Sequence, residues 1–252
     1  MEAKFTFYNI EKCGYYTFGA VLPVLGGIGD TFEKLAQWAS DGRQLENTTT
    51  YQHDADNDIM RTFYVDSIKC QTTGDILLTL WNEVENDNGK IYGMSPSQMP
   101  GDTQILETGF SGRAIPGFPS YFWISPEHSV FASIKFDHSV HGKQSLDRYI
   151  NGFLSNKSVY RVFDEDNYVI GFSENGQAAE GCEKIHPRFS SKIKKNNMLE
   201  AELLANISKI RKLVKKESLL YGTEDDRVLI ERVFSNLLDN APVFVQSKDI
   251  MH

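Results

Sequence analysis

Two histidines three residues apart, His138 and His141, are the first groups in this sequence whose spacing invites chemistry. Imidazoles at that separation can share a metal ion, with Asp137 alongside and His128 upstream. A metal centre needs a third converging ligand, however, and the segment DHSVHGK reads as a turn, so a structural role is preferred. The run His53-Asp-Ala-Asp-Asn-Asp58 has the carboxylate density of a calcium loop. Counted from Asp54, its sixth position would need glycine and is Ile59, and its twelfth would need glutamate and is Val65. It is read as an acidic surface loop. Gly26-Gly27-Ile28-Gly29 lacks the further glycine of a dinucleotide fingerprint and the Gly-Lys-Ser/Thr of a phosphate loop, which leaves a turn. There is no nucleophile elbow, and Cys13, Cys70 and Cys182 have no local histidine partner. No catalytic residue, metal or cofactor is assigned.

The cations make a stronger pattern. Lys184, Arg188, Lys192, Lys194 and Lys195 crowd the stretch KIHPRFSSKIKKNN, and Lys209, Arg211, Lys212, Lys215 and Lys216 follow. Residues 181–220 hold these ten cations against four glutamates, a local charge of +6 in a chain of net charge −8, so the remainder carries −14. Clustered lysines suit phosphate, which needs several positive charges displayed together rather than one shaped pocket. They are point charges and not bidentate base readers, so contact with DNA should be largely independent of sequence. Phe189 and Tyr221 could interleave aromatic contacts or serve as core. The opposing reading is an ordinary solvated lysine face balanced by the acidic body.

The elements that must position these groups follow from periodicity. KFTFYNIE (4–11) alternates as a strand, GGIGD breaks the chain, and Asp30 can cap a helix whose Phe32, Leu35, Ala36 and Trp38 or Ala39 share a face. Residues 42–60 read as a long polar loop. RTFYVDSIKC (61–70) and DILLTLWNEV (75–84) form a hairpin, and a short strand KIYGM follows NDNGK. Residues 95–119 are expected to be mostly loop. PSYFWIS and HSVFASIKFD are strands joined at Pro126-Glu127. SLDRYINGFL (145–154) is a helix with Leu146, Tyr149, Ile150, Phe153 and Leu154 on one face. SVYRVF and NYVIGFS make another hairpin around DEDN. Pro187 is read as leading an arm into a helix through about Leu220, whose stripe is Leu199, Leu203, Ile207, Ile210 and Val214. Gly222 stops that helix, and a further one runs to Leu238. The fold class is α+β: a mostly antiparallel sheet with one or two packed helices, followed by a C-terminal helical portion. The domain reading is a sheet domain over 1–180 and a basic arm with helices over 181–252.

Composition bounds the rest. At 252 residues, with 40% hydrophobic and 12% aromatic residues, the chain can fill a core, and 24% charged residues argues against global disorder. Three cysteines at wide spacing make no disulfide framework. The N-terminus lacks the apolar run of a signal peptide, and no stretch is long enough to span a bilayer, so the expectation is a cytoplasmic protein.

Three segments together resemble the RexA type of phage-exclusion protein. They are Gly117-Phe-Pro-Ser-Tyr-Phe-Trp-Ile124 with Phe131-Ala-Ser-Ile-Lys-Phe136, then Tyr149-Ile-Asn-Gly-Phe-Leu154, then Ile185-His-Pro-Arg-Phe189 with Ile193-Lys-Lys195. The similarity covers about residues 60–200, while 12–50 and the C-terminal helices diverge. The resemblance implies a non-enzymatic DNA-binding sensor, the homodimeric soluble partner of a membrane channel protein. Only the basic positions 184, 188, 192, 194 and 195 carry over.

The expected function is therefore a DNA-binding component of a phage-defence or prophage-exclusion system, holding duplex DNA through phosphates with little sequence preference. The alternatives are a nuclease effector whose carboxylates meet only in the fold, and an interaction protein that uses its acidic surface.

Overall fold

A computed structural model describes residues 3–54, 59–84, 92–102, 105–107, 114–136 and 142–194. The chain divides into two units, 1–194 and 195–252, and every described residue belongs to the first. That unit is α+β: an antiparallel sheet with two helices packed on one face. The expected C-terminal helical portion lies outside the described residues.

The strands are β1 (Lys4–Thr17), β2 (Thr62–Lys69), β3 (Ile76–Glu83), β4 (Tyr92–Met94), β5 (Ile105–Glu107), β6 (Ile115–Ser125), β7 (Val130–Lys135), β8 (Arg161–Phe163), β9 (Val169–Phe172) and β10 (Ile185–Ile193). The helices are α1 (Ile28–Ser40) and α2 (Lys143–Asn156). Across the main sheet the order is β10-β1-β7-β6-β3-β2, with β4 pairing both β5 and the start of β6. β8 and β9 form a separate hairpin.

Both helices bury the faces their periodicity requires. α2 buries Leu146, Tyr149, Ile150, Phe153 and Leu154, the five residues read from the sequence. At about 1.5–3 kcal/mol for each large side chain, this contact offsets the cost of ordering fourteen residues. α1 buries Phe32, Leu35 and Ala39 in the same core, with Tyr15, Tyr64, Leu78, Phe122, Phe131 and Phe189 from the strands. Asp30 is not the cap of α1. Gly27 holds that position, and Asp30 sits in the first turn, where it pairs with Lys34 at 2.6 Å and accepts a 2.9 Å hydrogen bond from Tyr160 Oη.

Other expectations change. β6 begins at Ile115, inside the segment expected to be mostly loop, because β4 and β3 both offer it partners there. The polar stretch after residue 42 is pinned rather than free. Thr48 and Thr50 are buried, and Thr50 Oγ1 donates to Tyr149 O at 2.8 Å while Asn156 Nδ2 donates to Thr50 O at 3.0 Å. The arm expected before residue 195 is, over Ile185–Ile193, a strand antiparallel to β1. Pro187 is tolerated there because its partner Tyr15 directs its N–H and carbonyl to Leu25 and Val24 instead of to β10, so no ladder bond is lost.

Candidate nucleic-acid interface

Among the described residues β10 is an edge strand, and its two faces differ in kind. Phe189 is buried in the core, Ser191 Oγ donates to Asp147 of α2 at 3.1 Å, and Ile185 packs at the core margin. Strand alternation then turns His186, Arg188, Ser190, Lys192 and Lys194 to the opposite side. Arg188, Lys192 and Lys194 are exposed there. Lys192 pairs with Glu11 of β1 at 3.1 Å, and both side chains are well exposed, so solvent screens the pair and it is weakly held. Lys194 lies opposite Phe7, to whose carbonyl its backbone N–H donates at 2.8 Å.

Of the cations singled out in the sequence, Lys184 ends a single 3-10 turn, Cys182–Lys184, just before β10 and is exposed. Arg188, Lys192 and Lys194 share one face. Lys195, Lys209, Arg211, Lys212, Lys215 and Lys216 lie outside the described residues. Phe189, considered as an aromatic contact, is core; Tyr221 lies outside. His138, His141, Asp137 and residues 55–58 of the acidic loop also lie outside. His128 is exposed in the β6–β7 turn, and His53 Nδ1 contacts Ile59 O at 3.0 Å. Among the described residues, no three His, Cys, Asp or Glu side chains converge as a metal set. Among the same residues, no helix is long and apolar enough to cross a membrane.

The sequence reading missed the aromatic surface beside these cations. Phe5 and Phe7 lie on the outer face of β1, 52% and 42% exposed, with ring centroids 6.5 Å apart. Phe7 meets half-buried Trp123 of β6 edge-on at 6.3 Å. The alternation in KFTFY signals two faces, but only the packing decides that Tyr8 and Ile10 turn to the core and the phenylalanines outward. No family model, curated protein or solved structure matches this chain.

Proposed function

We propose that this protein binds nucleic acid through phosphate contacts on the outer face of β10. The observation that carries the reading is the alternate placement of Arg188, Lys192 and Lys194 on the exposed side of one strand, away from the core. A rigid strand holds cations about 7 Å apart at successive outward positions, so charges are displayed in line without the entropy cost of ordering an arm. The acidic remainder of the chain repels a polyanion at long range, which makes binding a short-range and strongly salt-dependent event. The setting proposed with it, phage exclusion beside a membrane channel, rests on the RexA resemblance alone.

The test is duplex DNA binding measured by gel shift across a salt series. Wild-type affinity should fall steeply with salt. Lys194→Ala should flatten the log–log slope by about 0.9, the contribution of one phosphate contact. Binding that ignores both salt and the combined change of Arg188, Lys192 and Lys194 to alanine would refute the assignment.

A further inference from the structure

The outer sheet face carries a cross-strand row that runs through β7, whose Ala132 is itself buried beneath its neighbours. Ile68 pairs with Leu77, Leu77 with Trp123, Trp123 with Ala132, and Ala132 with Phe7, which lies opposite Lys194. In the neighbouring row Phe5 pairs with Ile134, and Ile134 with Tyr121. One end of this face is closed by Leu45, Met94 and Ile115, which pack over Phe63 and Trp81. Toward the far end of β1 the chain folds back, with Leu25 O only 2.8 Å from where a Cβ on Gly14 would stand. Between these two covers Phe5, Phe7, Leu77 and Ile68 remain exposed; Phe5 and Phe7 are on β1, beside the cations of β10, and Leu77 and Ile68 extend the strip toward the far edge of the sheet.

We infer that this strip is a stacking platform for unpaired bases, so that the nucleic acid the protein prefers is single-stranded, with its phosphates running along β10. The inference rests on the nucleic-acid reading above and adds the form of the ligand. In a duplex the bases stack on one another and present only their edges, so flat aromatic side chains on a sheet find no partner. An unpaired base offers its whole π face, and every base has one, which gives affinity without sequence preference. The charge arrangement selects this occupant over an apolar protein surface. Lys194 stands beside Phe7, and Lys192 one outward position along, so a base on Phe7 places its backbone against both ammonium groups. Lys192 is already satisfied by an exposed carboxylate, Glu11, that a phosphate can replace.

The experiment titrates full-length protein with oligo(dT) and with a duplex of equal length, following anisotropy of the labelled nucleic acid. Oligo(dT) should bind more tightly than duplex. The double variant Phe5→Leu/Phe7→Leu keeps the surface apolar but removes the rings; it should weaken oligo(dT) about tenfold or more and leave duplex affinity within about twofold. Circular dichroism checks that the exposed substitutions preserve the fold. If the double variant binds oligo(dT) as wild type does while duplex binding persists, the platform is wrong and the phosphate reading survives. If neither form of DNA binds, both fall. Sedimentation is the third arm: a dimer dissociated by Phe7→Lys would show that a second copy covers the strip, and would overturn the inference.

Discussion

Gly152 sits in the middle of α2, where glycine is disfavoured by about 1 kcal/mol relative to alanine. A Cβ there would stand 2.7 Å from Thr50 Oγ1 and 3.0 Å from Thr50 O, so the pinned loop reaches the helix only because that atom is missing. Gly152→Ala should therefore lower stability by roughly 1–3 kcal/mol, against the direction of helix propensity. The midpoint of urea unfolding decides between the two effects; a raised midpoint would mean the loop moves aside freely. The thiols divide just as sharply. Burial pushes Cys13 up to about 12, whereas hydrogen bonding from Thr73 lowers the exposed Cys70 thiol below its usual range. A lower value means more thiolate at a given pH, so Cys70 should be the one thiol that reacts quickly with a disulfide reagent near neutrality. Cys70→Ser should abolish the fast phase, and Cys13 and buried Cys182 should react only on unfolding. A fast phase that survives Cys70→Ser would contradict this burial pattern.

Among the described residues, β10 is held at its outer edge by a side chain rather than by another strand. Asn151 of α2 donates from Nδ2 to Phe189 O at 2.9 Å and accepts at Oδ1 from Phe189 N–H at 2.8 Å, and so occupies the backbone groups an intruding strand would use. Asn151→Asp keeps the acceptor but sets a carboxylate oxygen against the Phe189 carbonyl. It should cost about 1–3 kcal/mol and speed amide exchange in β10 before the rest of the sheet. Uniform protection across the sheet in that variant would show the clamp to be idle. The same elements explain what was legible. The α2 stripe repeats at helical spacing over a full face, so its five buried residues could be read directly. β10 could not: Ile185, Phe189 and Ile193 recur every four residues instead of alternating with polar ones, and between them lie the proline, two serines and the exposed Arg188 and Lys192 of what reads as an arm. Pro187 reinforced the misreading, since its harmless position depends on Tyr15, a partner from the far end of the unit, turning its backbone toward Leu25.

Across the whole unit, buried phenols tie the elements together. Tyr15 of β1 donates to Leu154 O at 2.9 Å and Tyr149 of α2 donates to Thr48 O, while Tyr64 donates within its own strand to Ser67 Oγ. Burial, the largest cause in each case, raises all three above the ordinary phenol range. The unfolded chain therefore ionises first. The stability these groups contribute is complete below about pH 10 and is lost as pH rises beyond it. Alkaline titration should show a late class of tyrosines whose ionisation coincides with loss of circular dichroism. Ionisation of every tyrosine with the fold intact would contradict that coupling. At this scale the charge division between the basic stretch and the acidic remainder was visible in composition alone. The aromatic strip was not, because hydrophobic alternation in β1 shows that two faces exist without saying which one meets the helices.

β1 completes its pairing only with β10, so Tyr8 waits for Ile193 while β7 arrives much sooner. At about 5–20 residues per second, a ribosome delivers β10 roughly 10–40 s after β1. Until then one edge of β1 stands open to chaperones or to its neighbours on the polysome. The strand that seals the sheet also brings Arg188, Lys192 and Lys194. A nascent chain thus acquires these three cations no earlier than the strand that completes the pairing of β1.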